Sequence, residues 1–156
     1  MNKFDKLIQC SFSPETGKSI CTIKINNNEF IGVAQCHPDD MDMMSELTGQ
    51  NIAKLRAIVK CYQHHKNNVL RPQLQSLRHL KSLYENNSKC NINNYEFKLL
   101  SSQIYSLEQA IKTTKEYIYG LQKDISNYIN MKDSFYIAIR RKRGQKQLNQ
   151  TSEISD

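Results

Sequence analysis

Cationic side chains at helical spacing are the residues of this chain whose types and pattern best suit chemistry. Arg56, Lys60 and His64 follow one another at i, i+4 and i+8, and Arg71 and Arg78 at i and i+7. Residues so spaced share one face of a helix, so each set forms a line of positive charge. A guanidinium forks onto phosphate or carboxylate oxygens, and an ammonium meets them as a point charge. These side chains therefore suit a nucleic acid, a nucleotide or an acidic protein face. The plain alternative is that they solvate the outer face of two helices. Arg140-Arg141-Lys142-Arg143 is a second basic cluster. It reads as a phosphate or protein contact, or as a charged helix end favoured by the dipole. In leucine-zipper readers the basic region precedes the coil, whereas here it follows.

Other chemistry is weaker. Cys36-His37 and Cys61-x-x-His64 would offer two thiols and two imidazoles to zinc, but neither half has ligand spacing. Cys36 and His37 are adjacent, and neighbours on an extended chain point to opposite faces, which spoils a nucleophile–base pair. Asp39, Asp40 and Asp42 could ligate Mg²⁺, yet a helix cap explains them without a metal. His65 and His79 read as solvated surface residues. The five glycines stand singly, so no phosphate loop exists. The chain is expected to be no enzyme and to carry no metal or cofactor.

Charge marks where function should lie. The net charge is +7, and residues 51–90 hold eight Lys or Arg against one acid, Glu85. Residues 29–46 carry the opposite bias, with Glu29, Asp39, Asp40, Asp42 and Glu46 and no base. A basic surface attracts phosphate or acidic protein. No run of 18 apolar residues exists to span a membrane, and residues 1–5 lack an apolar signal core, so export is not indicated. The odd number of cysteines, five, without framework spacing, reads as reduced, mostly buried intracellular thiols.

The elements that must position these residues form an α+β chain. Residues 6–36 read as a three-stranded antiparallel meander. Ser13-Pro14-Glu15-Thr16-Gly17 and Asn26-Asn27-Asn28 supply its turns, and Cys21, Ile23 and Ile25 alternate with polar residues. Such a sheet needs cover from helices. Pro38 and the aspartates after it end the sheet and cap a first helix, over about 43–66, striped by Ile52, Leu55, Ile58, Val59 and Tyr62. Asn67-Asn68 breaks it. Pro72 opens a second helix over about 70–86, lined by Leu70, Leu74, Leu77, Leu80 and Tyr84. Residues 1–90 would form a small domain, 94–143 a long helix, and 144–156 a disordered polar tail.

The long helix carries a heptad seam: Phe97, Leu100, Ile104, Leu107, Ile111, Thr114, Ile118, Leu121, Ile125 and Tyr128. Ile recurs at one seam position and Leu at the other, an order that favours parallel pairs. Leu100, Ile104, Leu107, Ile111, Ile118, Leu121 and Ile125 are thus the candidate oligomerisation residues. Against a free zipper, Ala110 and Tyr117 widen the apolar stripe to the breadth of a globular helix. The expectation is a homodimer in which part of the long helix is also covered by its own chain.

The run Gly32-Val33-Ala34-Gln35-Cys36-His37-Pro38-Asp39-Asp40, followed by Gly49, Ala53 and Arg56-Ala57, resembles a pattern in small phage and prophage proteins of Firmicutes-type hosts. There a strand ending in a Cys-His-Pro-Asp-Asp-like run leads into a helix of the form Gly-x-x-x-Ala-x-x-Arg-Ala. The acidic-aromatic pair usual after the aspartates is here replaced by Met41-Asp42-Met43. The resemblance implies a host-takeover or counter-defence factor in the cytoplasm of a bacterial host. Its partner would be a host protein or ribonucleoprotein complex, with a CRISPR effector as the leading example. Residue chemistry leaves two further readings: a small nucleic-acid-binding regulator, and a protein that sequesters a nucleotide near Arg56 and Lys60.

Overall fold

The computed structural model describes residues 7–37, 45–86 and 94–152, with the backbone alone beyond Asn130. The architecture is α+β, with strands β1 (Ile8–Ser13), β2 (Lys18–Ile25) and β3 (Asn28–Gln35) followed by helices α1 (Glu46–His65), α2 (Arg71–Asn86) and α3 (Asn94–Ser152). The chain divides into two compact units, Met1–Gln122 and Lys123–Asp156. The first 29 residues of α3 fall in the same unit as the sheet and the other helices.

The sheet is the expected antiparallel meander, in the order β1-β2-β3. Ser13 pairs with Lys18 across the turn Pro14–Gly17, where Gly17 takes φ 61°. Only glycine adopts that value without strain from a Cβ. Ile25 pairs with Asn28, which leaves a two-residue turn with Asn26 at φ 53°. Asn is among the few side chains that tolerate this region.

Alternation along β2 puts Ser19, Cys21 and Ile23 on the covered face, all fully buried. On β3 the covered face carries Phe30, Gly32 and Ala34, while Ile31 is exposed. α1 lies across this face and packs on all three strands. It buries Ile52, Ala53, Ala57, Ile58, Val59 and Cys61. Each large aliphatic side chain so covered contributes roughly 1.5–3 kcal/mol.

Small residues set how closely helix and sheet approach. A Cβ on Gly32 would lie 1.9 Å from the Ala53 carbonyl oxygen and 2.5 Å from the Ala57 nitrogen. A Cβ on Gly49 would lie 2.5 Å from Ser19 Oγ. Gly32, Gly49, Ala53 and Ala57 are among the residues of the run that resembles the phage-protein pattern. Here they build the contact between β3 and α1.

Two expectations about the start of α1 and the cysteines are corrected. The cap is Ser45, whose Oγ accepts from Thr48 N–H at 3.3 Å, whereas Asp39, Asp40 and Asp42 lie outside the described residues. Cys10 and Cys21 are not thiols but a disulfide: they pair directly across β1 and β2 with Cα atoms 4.1 Å apart. Antiparallel register alone brings them within bonding reach.

The break expected at Asn67-Asn68 is also absent. Lys66–Leu70 forms one π-helical turn that joins α1 to α2, and Arg71 N–H donates to the Lys66 carbonyl five residues back. Pro72 gives the physical reason. Its ring would crowd the carbonyl four residues earlier in a regular α-helix, and its missing N–H already costs the ladder one bond. Widening the turn relieves the crowding without ending the helix.

α2 runs antiparallel to the first part of α3. Leu74 packs with Leu100, Ile104 and Ile111, flanked by Leu70, Leu77, Tyr84 and Leu107. Tyr62 of α1 meets Tyr117 edge-on, ring centroids 4.8 Å apart. α3 is helical to Ser152, past the expected end at residue 143, so residues 144–152, expected as a disordered tail, are helix, since no proline interrupts it. Among the described residues no helix is long and apolar enough to cross a membrane.

Candidate functional site

The basic residues separate into two groups when placed on this frame. Arg56 Nη1 donates to the Val33 carbonyl at 2.5 Å, and Lys60 Nζ to the Ile31 carbonyl at 2.7 Å. β3 is an edge strand, and these carbonyls point away from β2. Four residues along a helix advance about 6 Å, and two along a strand about 6.7 Å. The i, i+4 pair of cations therefore matches the i, i+2 pair of carbonyls. Both cations thus brace the sheet edge; the carbonyls they meet are neutral, so each keeps its charge. His64 packs edge-on against Phe30, centroids 5.2 Å apart.

Arg71 and Arg78 have a different setting. With Gln75 they stand along one flank of α2 and face Glu108 and Lys115 of α3 across a groove of about 550 Å³. Leu74 and Ile111 form its floor. The antiparallel pairing of α2 and α3 matches the residues: Arg78 Nη2 lies 2.6 Å from Glu108 Oε1, and Arg71 lines the groove with Lys115. Three cations thus meet one carboxylate. Among the described residues neither Arg71 nor Lys115 is in an ion pair. Exposed surface pairs of the Arg78–Glu108 kind are worth about 0–1 kcal/mol, so an incoming anion can exchange with Glu108 at little cost.

Of the residues singled out in the sequence, the groove gathers Arg71 and Arg78 and leaves out Arg56, Lys60 and His64. The side chains of Arg140, Arg141 and Arg143 lie outside the described ones. Lys115, Glu108 and Gln75 were not foreseen. Lys115 and Glu108 occupy the e position beside the seam, and heptad order marks them as flanking residues. That they face Arg71 and Arg78 depends on the register between α2 and α3, which no local pattern encodes.

The seam residues are placed within the single chain. Leu100, Ile104, Ile111, Ile118 and Leu121 are buried and Leu107 is partly buried. Ile125, in the second unit, is half-buried. Both flanks of the seam are used: the e side faces α2, and Tyr117 on the g side meets α1.

A second cavity, of about 320 Å³, lies between the β2–β3 turn and the end of α1. Cys61, Tyr62, His64 and His65 line it, while Cys36 and His37 do not. Burial pushes the Cys61 thiol above its ordinary range. Burial, and then the neighbouring Tyr117 and Cys61, push the Tyr62 hydroxyl up. Cys61 is therefore protonated near neutral pH and a poor nucleophile. Among the described residues no cluster of three or more His, Cys, Asp or Glu is arranged to hold a metal.

No protein-family model matches the chain, and no curated protein or solved structure is similar to it.

Proposed function

We propose that this chain is a non-enzymatic binding protein that holds a phosphate-bearing partner in the groove between α2 and α3. The observation that carries this reading is the convergence of Arg71, Arg78 and Lys115 over an apolar floor, with Glu108 as the sole carboxylate among the lining residues. A nucleic-acid-binding regulator is the direct form of this reading. Inhibition of a host nucleic-acid-handling or defence complex, in the cytoplasm of a bacterial host, is its narrower form: a groove that covers guide or target strand would block such a complex. In a cytoplasmic setting Cys10 and Cys21 would exchange with the reducing thiol pool, because disulfides persist chiefly in oxidising compartments.

Charge reversal tests the reading. Fluorescence anisotropy with labelled inorganic polyphosphate and with a labelled DNA duplex should show binding at 50 mM salt that weakens steeply by 200 mM. The triple substitution Arg71→Glu, Arg78→Glu, Lys115→Glu should abolish it. Arg56→Gln should leave it unchanged, since Arg56 serves the sheet edge. Failure of the native chain to bind any polyanion at low salt would overturn the proposal.

A further inference from the structure

The outer surface of α3 beside the groove points to the form of the partner. Tyr105 and Tyr119 are 63% and 71% exposed, on a helix that buries five seam residues nearby. Both occupy the b position of the heptad, as do Lys98 and Lys112, which are also exposed. On a helix the b position lies about 60° further around than the e position that carries Glu108 and Lys115. Tyr105, Glu108, Lys112, Lys115 and Tyr119 thus follow at i, i+3, i+7, i+10 and i+14, in one stripe bordering the groove. Tyr105 and Tyr119 are separated by about 21 Å along the axis. Two cations and one acid, Glu108, stand between them, and Glu116 lies beside the stripe.

Exposed rings alternating with cations are what a single strand requires. Its unstacked bases cover aromatic faces, while its phosphates track the positive groove. A duplex keeps its bases stacked within and offers these rings nothing but backbone. An acidic protein face would take the cations but gain nothing from two solvent-facing phenols. We infer that the groove's partner is single-stranded nucleic acid, its backbone held by Arg71, Arg78, Lys112 and Lys115 and its bases stacked on Tyr105 and Tyr119. This inference rests on the polyanion-binding reading of the groove. It adds the identity of the strand and assigns two residues that charge alone does not.

Binding of a labelled ten-nucleotide DNA single strand, a duplex of the same sequence and polyphosphate, each measured by anisotropy with the full chain, separates the two levels. The single strand should bind at least tenfold more tightly than the duplex. Tyr105→Ala and Tyr119→Ala should each weaken single-strand binding roughly tenfold. Neither should change binding of polyphosphate, and Tyr105→Phe should retain the native affinity because the ring is kept. Both rings are exposed, so circular dichroism of the alanine variants should match the native chain. Equal binding of single strand and duplex, with both alanine variants unaltered, would overturn the strand inference and leave the polyanion groove standing. Binding of no polyanion at all would remove both.

Discussion

Gly32 shows how one missing atom fixes the fold around the sheet. Any Cβ there would meet backbone atoms of Ala53 and Ala57, which cannot rotate aside as a side-chain tip can. Gly32→Ala should therefore cost more than about 3 kcal/mol, above the usual penalty for overpacking, measured by urea denaturation. Gly120 is the contrast, since nothing lies within 4 Å of the Cβ it lacks. Gly120→Ala should raise stability by about 1 kcal/mol through helix propensity alone. A fall in stability there would mean that the α3 surface at this point is covered. Sequence made the motif around Gly32 visible but not its purpose. Gly49, Ala53 and Ala57 form a helical pattern of small residues, and only the strand lying against them gives it meaning. Arg56 and Lys60 behave alike: their spacing is plain in the chain, yet the carbonyls they meet become acceptors only once β3 is an edge.

The joined helices α1 and α2 depend on the π turn at Lys66–Leu70 for their relative rotation. A π turn absorbs one extra residue, so helix faces on either side keep the phase they would have with one residue fewer. With that lag of about 100°, Leu70, Leu74 and Leu77 share a face with Tyr62, which is the face turned to α3. With Pro72→Ala in both variants to remove the ring clash, deleting Asn68 should therefore convert the turn to a regular α turn and keep the core. Inserting one Ala after Asn68 should instead swing the α2 leucines away and cost several kcal/mol. Thermal unfolding of the two variants checks this, and equal losses would show that the π turn does not set the phase. The strands, both turns and the helix stripes were legible because they rest on periodicity and on turn residues. The π turn was not, because Asn67-Asn68 and Pro72 signal a break locally. Continuity is decided by the leucine contacts beyond them.

At the scale of the whole molecule, the heptad seam reads differently in the fold than in the sequence. Ile111 is buried beside Leu74, Leu100 and Ile104 of its own chain. Ile111→Asp would place a charge in that cluster, so it should lower stability by several kcal/mol rather than merely shift an association equilibrium. Light scattering together with circular dichroism decides the matter. A well-folded monomer derived from a native dimer would show that the seam serves a second copy instead. Seam spacing alone could not choose, because a core helix and a zipper share their apolar period and differ only in the breadth contributed by residues such as Ala110 and Tyr117. The sheet carries a consequence of its own for assembly. Arg56 and Lys60 occupy two of the outward carbonyls of β3, at Val33 and Ile31, whereas β1 forms the other edge of the sheet. Strand addition between molecules would then be hindered at β3 and favoured at β1. Two copies could join edge to edge into one six-stranded sheet, but that sheet would end in a β3 on both sides. Growth beyond two would be hindered, so the cations that take no part in the groove would act against extension of this chain into a ribbon.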